Sequence, residues 1–416
     1  MGNALCSLSC RHHEDVFTFD EEPNLLGVAQ GFGYCPIVLG QTFHEARYEV
    51  IRKLGWGSSS VVYLARDQEL KRFVALKVLS AYQTSITSEG LVAEREIMEK
   101  ITSANTTHRG YQHVTHLLHY FTADSKNGRH SIFSTDVLGS DLQSLRQAQP
   151  SRRFSLAITK RIIQQVLVAL DYIHIECGVV HTDLKPDNMM VDLDHQETAI
   201  RKLLSDDPSR VYPTRSASSD PILTIVSQPL PDFGLQADCS NLKIKLSDFG
   251  ESTWKDKHRP GQDISHVGLR APEVVLGLPW STPVDIWALG CLVFEFMTAA
   301  SLFTPTAGPT YTEEHNLVAK YIMNTGQSFP TSMLRKSKRA AMYFDRKLYE
   351  ADGVDSINKV RGIGFQIGTL DQALKNYEIC TEEEIKDTSR FMRRCLTFDP
   401  TERATAAELL EDDWLK

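Results

Sequence analysis

One short stretch, His181-Thr-Asp-Leu-Lys-Pro-Asp-Asn188, carries polar residues whose types and spacing suit phosphoryl transfer. Asp183 is a carboxylate that can orient an attacking hydroxyl and accept its proton. Lys185 is a cation that can neutralise charge on a transferred phosphoryl group, and Asn188 offers an amide oxygen to a hard metal ion such as Mg²⁺. A surface loop of turn and capping residues is the alternative, so the other parts of such a site must be found elsewhere in the chain.

A second metal ligand could come from either of two Asp-Phe-Gly tripeptides, which begin at Asp232 and Asp248. Residues 242–247 alternate as a strand directly before Asp248, whereas Asp232 follows a Pro-Leu-Pro break. A strand is needed to fix the carboxylate. We therefore predict that Asp248, with Asn188, holds the metal.

A hairpin near the start of the chain has the composition of a phosphate-binding loop. Residues 48–54 alternate, and a second apolar strand follows the bend Gly55-Trp-Gly57-Ser-Ser-Ser60. Two glycines let the backbone close over phosphates, and Val62 would cover a nucleotide base. A Gly-x-Gly pair alone is weak evidence, and an ordinary hairpin turn is the alternative.

Lys77 lies inside the apolar strand Phe73–Leu79, where a lysine is costly to bury unless it is paired. It follows Val-Ala-Leu, which matches the strand pattern that reaches nucleotide phosphates. The helical segment 91–101 carries three glutamates that could hold Lys77. We select Glu96, with Glu94 as the second choice.

Further elements are expected to position these groups. The strand 131–139 enters a linker that would be the hinge between two lobes, with Thr135 at the back of a pocket and backbone groups of Asp136 and Leu138 pairing with adenine. The helix 157–175 has an apolar stripe for core packing. Asp285 would accept hydrogen bonds from the catalytic-loop backbone, although a plain N-cap is the alternative.

The composition is that of an ordinary globular protein, with 42% hydrophobic and 24% charged residues. The net charge of -8 argues against direct nucleic-acid binding. The eight cysteines show no Cys-x-x-Cys pair, and no secretory segment opens the chain, so a cytoplasmic or nuclear setting is expected. Gly2, Cys6 and Cys10 are a near match to lipidation sites, and membrane contact is expected only if they are modified.

The ordered motifs resemble those of a eukaryotic protein kinase from about residue 35 onward. The matching residues are Gly55, Gly57, Lys77, Glu96, His181, Asp183, Lys185, Asn188, Asp248-Phe-Gly250, Ala271-Pro-Glu273, Asp285 and Arg403. The form of the glycine loop, Leu54-Gly-Trp-Gly57, and Thr182 after His181 are similar to the SR protein kinases, fungal type. Tyr34-Cys-Pro36 also matches that family, and the segment 192–241 lies where its members carry a spacer.

The resemblance implies an α+β, two-lobed kinase fold with a small antiparallel sheet plus one helix and a large, mainly helical lobe. Residues 1–34 would be a disordered leader, 35–138 the small lobe and 139–416 the large lobe, with a largely irregular insert at about 192–241 and another at about 304–380. Arg403 is expected to be the buried partner of Glu273, and a solvated arginine on a turn is the alternative. The residues implied to bind ATP are Leu54, Gly55, Gly57, Val62, Ala75, Lys77, Glu96, Thr135, Asp136, Leu138 and Met190.

The expected activity is ATP- and Mg²⁺-dependent transfer to serine or threonine of a protein, by a monomer. The resemblance implies Arg/Ser-rich substrates linked to mRNA splicing or processing. Thr182 and Leu269 replace residues that sense or carry an activating phosphate in other kinases, which predicts activity without that modification. The alternatives are a kinase-fold scaffold that binds ATP with little or no transfer, and a membrane-tethered signalling kinase with another substrate class.

Overall fold

The computed structural model describes residues 21–24, 26–90, 92–194, 196–212, 224–257, 262–351 and 353–416. The chain forms two compact units. The first comprises Met1–Thr102, Thr115–Ser144 and Met190–Leu242, and the second comprises Ser103–Val114, Leu145–Met189 and Lys243–Lys416. The expected antiparallel sheet and mainly helical part are both confirmed. Gly2, Cys6 and Cys10 lie outside the described residues.

The first unit is built on a six-stranded antiparallel sheet in the order β1-β2-β3-β4-β6-β5. β-branched and aromatic residues, which favour strands, are frequent in it. The strands are β1 (Thr42–Phe43), β2 (Tyr48–Trp56), β3 (Ser60–Asp67), β4 (Arg72–Leu79), β5 (Leu117–Ser125) and β6 (Gly128–Thr135). The helices are α1 (Ala81–Ser88) and α2 (Glu94–Ser103), so α1 is additional to the one helix expected.

Two elements follow the sheet in the chain, β7 (Leu138–Asp141) and α3 (Leu142–Ala148). The next helix is α4 (Leu156–Asp171), which a π-helical turn extends to Cys177. Ser155 begins α4 as its N-cap, because its side chain accepts a hydrogen bond from the Ile158 amide. The apolar stripe of α4 is buried, as its spacing predicts.

The remaining elements of the second unit are mostly helices around α7 (Pro283–Thr298), whose residues are apolar on nearly every side and almost all buried. The strands are β8 (Val179–Val180), β10 (Ile244–Leu246), β11 (Thr253–Trp254), β12 (Phe329–Pro330) and β13 (Ser356–Ile357). The helices are α6 (Pro272–Val275), α8 (Glu313–Thr325), α9 (Thr331–Lys336), α10 (Ala340–Tyr343), α11 (Arg346–Glu350), α12 (Leu370–Lys375), α13 (Glu382–Cys395) and α14 (Ala406–Leu410). Between 304 and 380 the structure has loops and helices, of which α8 is 13 residues long and the others have six residues or fewer.

The insert at 192–241 differs from the irregular segment that its composition predicts. It follows β9 (Met189–Asp192) and begins with a ten-residue helix, α5 (Glu197–Asp206). The helix packs on the sheet, since Glu197 pairs with Arg66 at 2.9 Å and also accepts a hydrogen bond from the Phe73 amide. The insert therefore groups with the first unit and not with the helical part to which the sequence assigned it. Residues 213–223 lie outside the described residues.

The leader predicted over residues 1–34 is ordered from Glu21 where it is described. Phe32 and Tyr34 belong to the core of the sheet unit, and Glu21 and Glu22 are buried against it. Long-range contacts with the sheet order this segment. Local composition does not indicate such contacts, so the sequence did not predict this order. Among the described residues no helix is both long enough and apolar enough to cross a membrane.

Candidate active site

The catalytic loop begins after β8 and ends in a short 3-10 turn over Pro186–Asn188. Lys185 Nζ lies 2.6 Å from Asp183 Oδ2. The side-chain amide of Asn188 donates to the backbone carbonyl of Asp183 at 2.8 Å and to its carboxylate at 3.1 Å. The three residues that the sequence singled out are therefore in direct contact, and a single carboxylate lies at their centre.

The charge of Lys185 is favoured by its surroundings. Partial burial alone would lower the pKa of its ammonium group, but the hydrogen bond with Asp183 and the negative charges of Asp183, Asp187 and Asp248 outweigh that effect and raise the pKa. Lys185 thus remains a cation throughout the neutral range. The same contributions place the Asp248 carboxylate within electrostatic range of the loop.

Asp285, in the first turn of α7, fixes the start of the catalytic loop as the sequence predicts. Its carboxylate accepts hydrogen bonds from the amides of His181 at 2.8 Å and Thr182 at 2.9 Å, and it lies 2.9 Å from the His174 ring. Asp285 is buried, so these bonds also satisfy a charge that would otherwise be costly. They hold Thr182 in a left-handed conformation with φ of 66°, which a residue of this type adopts at a cost.

A strand was predicted directly before Asp248. The structure has β10 there, and one residue separates its end from Asp248. The preceding Ser247 donates to the Asn188 carbonyl through its amide at 2.8 Å, so the two metal-ligand candidates are joined through backbone. Asp232 belongs to the first unit instead, where its carboxylate accepts a hydrogen bond from the Ser140 backbone amide at 2.7 Å. Burial raises the pKa of Asp232, and the Ser140 hydrogen bonds only partly offset this.

The first unit contains the predicted lysine pair, but with a different partner. Lys77 Nζ lies 2.5 Å from Glu94 Oε1, and the Glu94 side chain is only 2% exposed. Glu96 is exposed on the opposite side of α2, so its selection was wrong and the second choice is correct. Glu94 lies on the same helix face as the buried residues Ile97 and Ile101, because the spacings of three and seven residues return to one face.

The residues proposed to bind the nucleotide are brought together on the sheet. Lys77 lies opposite Val62 on β3, and Val62 lies opposite Gly55 on β2. Ala75 is two residues before Lys77 and therefore shares its face. Residues opposite one another in neighbouring strands also share a face. A continuous row on one face of the sheet thus crosses three strands and consists of Gly55, Val62, Ala75 and Lys77.

The predicted hinge residues follow at the end of β6. Thr135 is opposite Ala75, and its hydroxyl donates to the Asp136 carbonyl at 3.2 Å. The Asp136 carboxylate pairs with Arg72 at 3.3 Å, so this side chain has a structural partner. Leu138 opens β7, whose pairing with β9 places Asp141 opposite Met190. Leu54 lies in β2, directly before the glycines.

A fully buried ion pair supports the second unit. Arg403 donates to both carboxylate oxygens of Glu273, at 2.7 and 2.9 Å, and both side chains are 0% exposed. Arg403 also donates to the carbonyls of Pro283 and Thr397. This two-pronged geometry satisfies both charges without water. The pair that the sequence predicted is therefore present.

The chain is similar to known protein kinases over most of its length. The model of the family described as "Protein kinase domain" matches residues 48–206 and 235–415. The protein kinase dsk1 of Schizosaccharomyces pombe is 30% identical, over 92% of this chain and 83% of its own. The serine/threonine-protein kinase SRPK of Physarum polycephalum is 30% identical, over 92% of this chain and 89% of its own, and the SRSF protein kinase 3 of Mus musculus is 24% identical over 92% and 88%.

Proposed function

The chain belongs to the protein kinase domain family as a serine/threonine kinase of the SR protein kinase type, and from this premise we propose how its own residues carry out the transfer. A protein kinase domain implies ATP, and typically Mg²⁺, as the cofactors. The proposal assigns nucleotide binding to the row on the sheet and phosphoryl transfer to the catalytic loop. The observation that carries it is the convergence of Lys185 and Asn188 on Asp183.

In the first unit, Lys77 would hold the α- and β-phosphates while Glu94 keeps its ammonium group in place. Gly55 and Gly57 let the backbone approach the phosphates closely, since neither carries a side chain. Val62 and Ala75 would contact the adenine from the same face of the sheet. The backbone of Asp136 and Leu138 would supply its polar contacts.

In the second unit, Asp183 would accept a hydrogen bond from the substrate hydroxyl, align it with the phosphorus and take its proton as the bond forms. Lys185 would stabilise charge on the oxygens of the transferred group, as its raised pKa permits. The protein contributes orientation and electrostatic stabilisation, because the reacting phosphate itself undergoes a loose transition state.

The residues present fit a Mg²⁺ ion. The Asn188 side chain is buried, and while its nitrogen donates to Asp183, its oxygen bonds no residue in the part of the chain that the structure describes. No cluster of three or more His, Cys, Asp or Glu residues suited to a metal occurs among the described residues. Mg²⁺ is commonly bound through one or two protein oxygens together with substrate phosphates. Asn188 and Asp248 would hold the ion, which would neutralise phosphate charge.

We further propose that transfer does not require an activating phosphate. The Thr182 hydroxyl donates to the Glu251 carbonyl at 2.8 Å, and the Ser265 hydroxyl donates to the Thr182 carbonyl at 2.5 Å. Ser252 donates to the His181 carbonyl at 3.2 Å. Hydrogen bonds between uncharged groups thus connect the catalytic loop to the segment after Asp248, near its start at Glu251 and Ser252 and again at Ser265. This supports an active arrangement that an added phosphate is not needed to create.

The substrate is proposed to be a serine-containing protein, with Arg/Ser-rich sequences as the first class to test. The support is the similarity to kinases whose printed names are SRPK and SRSF protein kinase 3. The test uses dephosphorylated full-length protein, labelled ATP, an Arg-Ser repeat peptide and a basic serine peptide without the repeat. Rapid transfer to the Arg-Ser peptide is expected. Transfer to the other peptide alone would reject this substrate class and retain the enzyme.

The two Asp-Phe-Gly motifs provide matched variants for the same assay. Asp248→Asn should abolish most Mg²⁺-dependent transfer, because it removes a metal-binding charge. Asp232→Asn keeps an oxygen that can accept the Ser140 amide, so it should leave transfer near the wild-type rate. Loss of transfer in the Asp232 variant with retention in the Asp248 variant would overturn the metal assignment.

A further inference from the structure

Tyr34 connects the segment before the kinase domain to the tip of the glycine-rich loop. Its hydroxyl lies 2.8 Å from the Gly57 carbonyl oxygen and 2.9 Å from that of Ser58, so its single proton can form a hydrogen bond shared by the two oxygens. The Tyr34 ring is fully buried and meets Trp56 edge-on, with ring centroids 6.4 Å apart. Both Trp56 and the two accepting carbonyls lie in or next to the turn between β2 and β3.

Lys53 makes a second connection at the base of the same loop. Its side chain is 0% exposed and contacts two carboxylates, Glu21 at 2.6 Å and Glu22. Glu21 also accepts hydrogen bonds from the amide and the hydroxyl of Ser227, both at 2.7 Å. The Gln228 amide donates to the Lys53 carbonyl at 2.9 Å. The segment before the domain and the insert therefore meet at the residue that precedes Leu54 and the glycines.

One further backbone contact reaches the loop, because the Ser80 amide donates to the Ser59 carbonyl at 2.8 Å. Among the described residues, no atom beyond the chain neighbours lies within 4 Å of the position that a Cβ would take at Gly55 or Gly57. Within the turn, the Gly57 amide donates to the Ser60 carbonyl at 2.9 Å. Glycine backbone loses much conformational entropy when it is ordered. The contacts of Tyr34 and Lys53 reduce that loss before a nucleotide arrives.

We propose that Tyr34 and Lys53 are positioning residues for the nucleotide-binding loop. The segment that supplies Tyr34 lies outside residues 48–206 and 235–415, which match the family model. This inference rests on the proposed function, because it requires that the loop binds ATP. Since pre-ordering strengthens nucleotide binding in the ground state and the transition state alike, its loss should raise KM for ATP and leave kcat unchanged.

Tyr34→Phe tests the proposal because it removes only the hydroxyl and keeps the buried ring. Loss of one neutral hydrogen bond of this kind should weaken ATP binding by about three- to tenfold. KM for the peptide and the melting temperature should stay close to those of the wild type. The matched control is Tyr63→Phe, since Tyr63 is buried in the same core and its hydroxyl bonds none of the described residues.

Two measurements on full-length protein decide the outcome. Calorimetry gives the dissociation constant of ATP, and hydrogen exchange gives the protection of amides 55–60 without any nucleotide. We expect faster exchange and weaker ATP binding in Tyr34→Phe but not in Tyr63→Phe. Equal effects of the two variants, or no change in either measurement, would overturn the proposal. If the wild-type protein bound no ATP, the proposed function would fail, while hydrogen exchange would still decide whether Tyr34 orders the loop.

The Lys53 contact is tested by Glu21→Gln, which keeps an oxygen for Ser227 and removes one of the two charges facing the lysine. Because the variant retains Lys53 and Glu22, it should fold and show faster exchange at amides 55–60. Glu69→Gln is the control, since this carboxylate lies in the turn after β3 and is mostly exposed. Unchanged exchange in Glu21→Gln would remove Lys53 from the proposal.

Discussion

Replacement of Glu94 by glutamine should impair ATP use far more than the same replacement at Glu96. The two residues lie two positions apart in α2, but only Glu94 contacts Lys77, at 2.5 Å. A hydrogen bond between charged groups contributes about 1.5–3 kcal/mol. If Lys77 no longer has this hydrogen bond, it holds the ATP phosphates less well in the transition state by the same free energy. The kcat/KM for ATP should then fall by about 10- to 100-fold.

The cost in stability should be smaller than for a fully buried pair. Removal of one partner from such a pair costs about 3–5 kcal/mol, because a charge is left without compensation. Lys77 is 18% exposed, so its ammonium group can regain some hydration. We therefore expect the free energy of unfolding to fall by about 1–3 kcal/mol in Glu94→Gln. Glu96→Gln should stay within about 0.5 kcal/mol of the wild type.

Steady-state kinetics with varied ATP and urea denaturation measure the two effects separately. We expect Glu94→Gln to lose kcat/KM for ATP and Glu96→Gln to keep it. An equal or larger loss in Glu96→Gln would mean that the active enzyme uses the exposed glutamate, and the pairing described for Lys77 would be refuted.

Three further predictions concern other parts of the protein. Arg403→Met leaves the buried Glu273 carboxylate without a charged partner and should lower the free energy of unfolding in urea by about 3–5 kcal/mol, whereas a loss below about 1 kcal/mol would contradict the role of the pair. Thr182→Val loses the bond to Glu251 and should lower kcat several-fold without changing ATP affinity by calorimetry; an unchanged kcat would count against the hydrogen-bonded arrangement. Burial lowers the pKa of His130 below 6.5, and a backbone hydrogen bond offsets this only partly. Because the unfolded chain therefore binds the proton at a higher pH than the folded protein, the free energy of unfolding should decrease as the pH is lowered from about 7 to 5. His130→Gln should flatten that fall in thermal denaturation, and an identical slope would exclude the effect.

The catalytic loop could be predicted from the sequence because its chemistry is local. Asp183, Lys185 and Asn188 lie within six consecutive residues, and a short turn brings them together. The same holds for Asp248, whose strand directly precedes it. The distant pairs, Glu273 with Arg403 and Asp285 with the loop amides, could be anticipated only beside open alternatives, because nothing in their local sequence indicates the partner.

The choice of Glu96 failed although a signal was present. Ile97 and Ile101 mark the buried face of α2, and counting back from them by three and seven residues reaches Glu94. The helix α5 was missed for a related reason, because the prolines and serines beyond residue 207 dominated the composition of the insert. The apolar residues Ile200, Leu203 and Leu204 recur at helical spacing within α5 and could have indicated it.

The order of residues 21–34 could not be predicted in this way. Glu21 and Glu22 are acidic residues in a short polar stretch, and their burial depends on Lys53, about thirty residues later in the chain. Lys53 is itself a charged residue in an alternating strand, which indicates exposure. Only the fold brings the three together and makes each of them compatible with burial.

The central claim is that Asp183 performs the transfer in a kinase that binds ATP through other residues. The most direct test measures ATP affinity and the rate of phosphate transfer in the wild-type protein and in Asp183→Asn. We expect the variant to bind ATP with unchanged affinity and to lose about 10²- to 10⁴-fold in transfer rate. A wild-type protein that binds ATP and transfers nothing to any peptide, or a variant that transfers at the wild-type rate, would contradict the account.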